Sequence, residues 1–456
     1  SAALERAIGS SADLAAAAIA TKRGFVRAGR LRRPRDVLVE QATVAGLVAR
    51  VEATRDGALY RSDHFNNLGI AHAQLGDARS ARDLFQRSLA LRHDLLGEEH
   101  PQVVYAEANL GVALTRSQDF SAAAEALRRA LAGAERSLGP DHPHVALVAI
   151  NLGEAARLLG RFTEAGAHLD RALAIQTALL GPTATDLHYV LAARGALAID
   201  RWDYPAASAD YGRVLELLDH GKSEDAAARI DALRGLGLAA AGQGAFDQAR
   251  SHLEQALALG ERSLGADEIW AARLHDALGS MHLRAGEAEL ALPRFRRAQA
   301  VRLAHLAAGD PLVGESHRRI GEALLASGSL TEAAVELARA REIVEAALPV
   351  ESLPVAEVHH RLGDLDLARG DRAAAREAFT RAIAIYATIS EPDLHQLAFA
   401  RFGLARALAD QAPAEALATA DLALAALKRR AAPRPARIAD EIAAIEAWVA
   451  ARRPRR

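Results

Sequence analysis

The chain has 456 residues, half of them hydrophobic and a quarter charged, with aromatics at only 4%. That balance excludes a disordered chain, and its abundant alanine asks for a core of closely approaching helices rather than large side chains. A formal charge of -2 excludes a strong overall attraction to nucleic acid or anionic lipid, and the absence of cysteine excludes disulfides, thiolate zinc sites and a cysteine nucleophile.

Residues 1–61 predict two helices, near Ala2 to Ala20 and Arg35 to Thr54, forming an N-terminal cap or a joint to a further domain. The apolar run Leu14 to Ala20 is too short for a membrane span. It has Glu5 before it and its basic residues after it, the wrong order for a signal peptide. The chain starts at Ser1 without methionine, so it is expected to be a piece of something longer. Lys22, Arg23, Arg27, Arg30, Arg32, Arg33 and Arg35 form a basic run without interleaved aromatics, read as a solvated linker.

From residue 62 to 430 the sequence repeats. Gly69, Gly111, Gly153, Gly195, Gly237, Gly279, Gly321 and Gly363 stand 42 apart, and Gly403 follows after 40, giving nine units. Twelve residues after each of the first eight glycines comes an alanine, from Ala81 and Ala123 to Ala375. Four further on comes a large apolar residue, among them Phe85, Leu127, Tyr211 and Phe379. Within each unit apolar residues recur at three and four in two blocks, the pattern of two amphipathic helices. Gly76, Gly160, Gly244, Gly286, Gly328 and Gly370 end first helices, and Asp77, Asp119, Asp203, Ser329 and Asp371 cap second ones. The fourth unit departs most, with Arg194 at a usual leucine and Trp202 at a usual glycine.

Fragments that imitate enzyme motifs fail on context. "GLGLAA" at Gly235 lies in a predicted helix with no strand before it, and "GKS" at Gly221 lacks the first glycine of a phosphate loop. "DHPH" at Asp141 and "EEHP" at Glu98 fall one period apart, so a turn with proline starting the next helix is preferred to a metal fragment. His359 and His360 are adjacent on a helix and point about 100° apart, which does not suit one ion. No catalytic residue, cofactor site or metal site can be assembled. After Pro433 and Pro435, residues 431–456 predict a capping helix, "ARIADEIAAIEAWVAARR", and a basic tail with Arg452, Arg453, Arg455 and Arg456.

With the periodic glycine numbered eight, each unit carries Leu-Gly at seven and eight, alanine at twenty and a large apolar residue at twenty-four. This phase resembles the tetratricopeptide repeat, and the longer period with "LGEEHPQV" and "LGPDHPHV" resembles the kinesin-light-chain variety found in bacterial signalling proteins. The resemblance implies an all-α fold, a right-handed superhelical solenoid of antiparallel helix pairs, whose concave wall is lined by the first helix of each pair. It implies a protein-interaction scaffold, with no enzyme activity and no cofactor, inside a bacterial cell.

On the stripe of first-helix positions two, five, six, nine, twelve and thirteen, units one to three place Asn66, Asn67, Tyr105, Asn109, Asn151, Arg116 and Arg157. Asparagine donates and accepts, so it can grip the backbone of an extended peptide whatever its side chains. In similar clamp-type repeats an asparagine at position six does this. Bonding to a neighbouring helix is the competing reading. From unit five onward positions five and six carry Arg234, Arg318, Arg319, Arg361 and Arg401. These suit an acidic partner, or else pair along their own helices, as Glu315 with Arg319, Arg318 with Glu322 and Glu357 with Arg361, the reading preferred here. The expected partner is a peptide or protein, with no nucleic acid and no membrane. Two other functions compete: the docking region of a larger signalling enzyme, and a self-assembling array.

Overall fold

The computed structural model describes residues 2–31, 33–264, 269–389, 395–429 and 436–453. Its contacts divide it into two compact units, Ser1–Ala155 and Ala156–Arg456. Among the described residues it is all-helical. In chain order the helices are α1 (Ala2–Phe25), α2 (Pro34–Ala49), α3 (Arg55–Gln74), α4 (Ala78–Leu96), α5 (Pro101–Arg116), α6 (Phe120–Leu138), α7 (Pro143–Leu158) and α8 (Phe162–Leu180). Then come α9 (His188–Asp200), α10 (Tyr204–His220), α11 (Ala226–Gly242), α12 (Phe246–Ser263), α13 (Ile269–Arg284), α14 (Ala288–His305) and α15 (Pro311–Ala326). The last are α16 (Leu330–Ala347), α17 (Leu353–Arg369), α18 (Arg372–Ile389), α19 (His395–Leu408), α20 (Pro413–Arg429) and α21 (Ala436–Arg452). None is long and apolar enough to cross a membrane.

Consecutive helices pair as hairpins, α3 with α4 and α5 with α6 in the first unit and α9 with α10 through α19 with α20 in the second. Second helices pack on the next first helix, α4 on α5 and, from α8 on α9 to α18 on α19, in the second unit. This is the solenoid arrangement. The periodic residues explain it directly. A Cβ added at Gly111 would lie 2.5 Å from Leu127, and one at Gly363 would lie 2.8 Å from Phe379. The same holds for Gly69 against Phe85, Gly195 against Tyr211 and Gly279 against Phe295. The glycine therefore makes room for the large residue sixteen positions later, and the alanine four residues before that side chain is fully buried from Ala81 to Ala375. One steric solution is repeated along the chain.

The punctuation follows the sequence. Gly76, Gly160, Gly244, Gly286, Gly328 and Gly370 all have positive φ, and so, without glycine's freedom, do Gln118 and Trp202 at the same turn. Asp77, Asp119, Asp203 and Asp371 accept a hydrogen bond from the backbone N–H three residues on. Ser329 departs from this, since it stands at the cap of α16 without a side-chain capping bond.

The basic run is no linker. Lys22 and Arg23 end α1, a single π-turn spans Val26–Arg30, with Leu31 N–H bonding Val26 C=O at 2.9 Å, and Arg35 lies in α2. Arg23 and Arg27 both reach Glu40, at 2.9 and 2.5 Å, so their charge is spent joining α1 to α2. Arg32, Arg455 and Arg456, along with Pro433 and Pro435, lie outside the described residues. In the second unit α21 packs on α20, tied by Lys428 with Glu446 and by Arg453, whose Nη2 is 2.8 Å from Asp421.

Candidate functional site

The histidines of the two imitation metal motifs are helix caps: His100 Nδ1 accepts from Gln102 N–H at 3.2 Å and His142 Nδ1 from His144 N–H at 3.1 Å, each followed by a proline. No group of residues fit for a metal occurs among the described residues. "GKS" lies in the turn between α10 and α11, and "GLGLAA" lies within α11. The chemistry that remains is on the first helices.

In the first unit the asparagines sort into two kinds. Asn67, 3% exposed, donates from Nδ2 to the carbonyl of Thr21 on α1 at 2.8 Å. Asn66 is also buried, and its Oδ1 accepts from Asn109 Nδ2 at 2.9 Å, joining α3 to α5. These two are engaged within the chain, which corrects the expectation that they face a peptide. The physical reason is register: a polar group on a first helix looks at the neighbouring first helix before it looks at solvent. Gln74 and Arg116 behave likewise, bonding the carbonyls of Ala28 and Ala73 at 2.7 Å each.

What stays accessible in the first unit is different. Asn109 and Asn151 are partly exposed on α5 and α7. At position two of the same helices stand Tyr105, 39% exposed, and Leu147, 50% exposed. The Tyr105 ring lies against His144, with centroids 3.9 Å apart. His144 is buried, and burial, aided by His142, pushes its imidazole down to about 4, so it presents a neutral ring to the tyrosine.

In the second unit charge dominates. Arg157 pairs with Asp200. Arg318 is buried and forks onto Glu315, with Nε and Nη2 at 2.8 and 2.6 Å from its two oxygens, while Glu322 and Glu357 lie at 3.4 and 3.6 Å. Arg319 donates to Ser280 at 3.0 Å and lies 2.7 Å from Glu315. Arg361 bonds Asp364 at 2.7 Å and approaches Glu322 at 3.5 Å, so it does not take the expected partner Glu357. Burial opposes ionisation of Glu315, yet Arg318 and Arg319 hold its carboxyl down at about 2. His360, buried beside this network, is pushed down to about 4, chiefly by burial. Arg318 thus braces the fold rather than offering itself to a ligand, the self-pairing preferred from the sequence over capture of an acidic partner.

Two first-helix sites in this unit keep positive charge in excess. Arg401 has no carboxylate partner among the described residues, and burial together with Arg429 lowers its pKa. Arg234 and Arg273 share one oxygen of Asp231, at 3.5 and 3.2 Å. Arg273 is absent from the residues expected from the sequence, since from unit five onward those are the arginines at positions five and six only. It stands at position two, 42 residues after Asp231, and that spacing was the available signal.

Stacked antiparallel helix pairs with a polar first-helix wall define a helical-repeat protein. The family described as tetratricopeptide repeat matches residues 60–136, 108–178, 228–304 and 312–388, more than half of the chain, and the protein belongs to that family. Among solved structures, a Rap protein complexed with competence and sporulation factor is similar at 15% identity, covering 82% of this chain and 98% of its own, with TM-score 0.58. The quorum sensor NprR from B. thuringiensis, in its apo form, matches at 12% identity over 71% of this chain and 86% of its own, TM-score 0.46. Kinesin-light-chain TPR-like repeats from Podosopora anserina match at 20% identity over 46% of this chain and 100% of their own, TM-score 0.37. At such identities the likeness is one of fold. No curated protein sequence matches this chain.

Proposed function

We propose that this protein is a non-enzymatic scaffold that binds an extended peptide segment, free or within a partner protein, along its first helices. The observation that carries the reading is the surface of α5 and α7, where amides at Asn109 and Asn151 stand beside exposed Tyr105 and Leu147. An amide can bond a ligand's backbone, while an exposed tyrosine and leucine offer apolar area at little entropic cost. The similar Rap fold, complexed with a factor, is a precedent for ligand binding on this architecture. Asn66 and Asn67 then support the surface from behind, and the arginines of the later repeats set the charge preference of the partner.

Recovery of bound proteins from the native organism, comparing wild type with Asn109→Ala/Asn151→Ala, tests this. The partner should be lost from the variant while helical content and Tm stay within the small change expected of partly exposed sites. Equal recovery by both would overturn the assignment. A second reading, self-association, is favoured by Ile19 and Val39, exposed at 68% and 83% on α1 and α2. Light scattering that shows monomer at all concentrations would exclude it.

A further inference from the structure

Of the arginines on the first helices of the second unit, Arg318 and Arg319 of α15 and Arg361 of α17 are matched by carboxylates on the same two helices. The cluster on α11 and α13 is not. Asp231 and Arg273 occupy the same repeat position on successive first helices, 42 residues apart, and Arg234 lies almost one turn beyond Asp231. A single oxygen, Asp231 Oδ1, faces both guanidinium groups, 3.5 Å from Arg234 Nε and 3.2 Å from Arg273 Nη2. At 3.5 Å the first contact is too long to satisfy Arg234, whose Nε is buried without a hydrogen-bond partner. Arg273 is 56% exposed and keeps most of its donors toward solvent. Two fixed positive groups on neighbouring helices therefore share one negative charge. Their repulsion adds to burial in lowering the pKa of Arg234.

We infer that Arg234 and Arg273 form an anion-recognition site that takes a carboxylate from an acidic segment of the bound peptide, with Asp231 as the internal competitor that the ligand displaces or joins. The inference rests on the reading that the first helices bind a peptide, and it adds where the acidic part of that peptide lies. A planar carboxylate matches the forked donors of two guanidiniums and supplies the missing charge. Position two of the preceding repeat carries Tyr189, 52% exposed, so apolar contact is available one first helix away.

Binding of a short fluorescent oligoglutamate to the full chain at low salt, against oligoglutamine of equal length, tests it. Wild type should prefer oligoglutamate. Arg273→Gln, at an exposed position that leaves folding intact, should weaken it roughly tenfold, the loss of one bond to a charged group. Asp231→Asn should strengthen it, a gain that a merely structural role would not produce. Arg213→Gln, exposed and paired with Glu216 on α10, should leave it unchanged. The inference is overturned if Arg273→Gln has no effect, if Arg213→Gln weakens binding equally, or if Asp231→Asn weakens it. Inorganic phosphate that binds while oligoglutamate does not would overturn the carboxylate source. Retention of the natural partner through Asn109 and Asn151 in an Arg273→Gln background would show that only this site, and not the scaffold reading, had failed.

Discussion

The two units solve the same problem on their first helices with different chemistry. In Ser1–Ala155 neighbouring first helices are joined by neutral amides and by donors to backbone carbonyls: Asn66 with Asn109, Asn67 with Thr21, Gln74 with Ala28. In Ala156–Arg456 they are joined by ions, Arg318 on α15 reaching Glu357 on α17 at 3.6 Å and Arg361 on α17 reaching Glu322 on α15 at 3.5 Å. Neutral contacts are cheap to desolvate and individually weak, whereas buried ions must be matched or the leftover charge is costly. The difference teaches where to look for a ligand site: in the first unit at amides and apolar groups left accessible, in the second at charges left unmatched.

The largest expected effect separates the units by stability. Arg318→Ala leaves Glu315 and Glu357 without their buried counter-charge and should destabilise the protein by about 3 to 5 kcal/mol in chemical denaturation. Asn66→Ala, which breaks a neutral bond, should cost about 1 kcal/mol. Comparable losses would erase the contrast. Steric solutions should be indifferent to it: Ala123→Leu and Ala333→Leu, one in each unit, should each cost about 1 to 3 kcal/mol through overpacking. Asn67→Ala should destabilise by about 1 kcal/mol and loosen α1, read as faster hydrogen exchange around Thr21.

Acid sharpens the comparison on a smaller scale. His360 is held down at about 4, so between that value and its ordinary 6.5 the unfolded chain binds a proton that the folded chain refuses. Stability therefore falls as pH drops through this window, and His360→Asn should flatten part of the fall in Tm. Glu315, held down at about 2, keeps its contribution until lower pH, losing it only as pH falls from its ordinary 4.5 toward 2. The first unit's amide ladder does not titrate, and the acid response there falls instead on His144, also held down at about 4 by burial.

Much of the fold was legible because each periodic residue answers a local steric demand. Gly111 is glycine for Leu127, and Gly370 is glycine for a left-handed turn. The expected change at the fourth unit was real, with Trp202 taking the left-handed turn and its ring centroid lying 4.6 Å from that of His395 in a tilted contact, although that distant partner lay beyond any local pattern. The site was less legible. Residues 1–61 carry no repeat phase, so nothing revealed that Thr21 would meet Asn67. Arg234 stood out by its position, but whether its charge is matched depends on Arg273, and on which oxygen of Asp231 each one reaches.

The central claim is that the first helices are a binding surface, and calorimetric titration of the recovered partner segment tests it most directly. Against wild type and Asn109→Ala/Asn151→Ala, the expected result is a Kd weakened roughly tenfold in the variant, two neutral hydrogen bonds to the ligand being lost, with Tm lowered only by the small amount that loss of the Asn109–Asn66 bond explains. An unchanged Kd for a folded variant would contradict it.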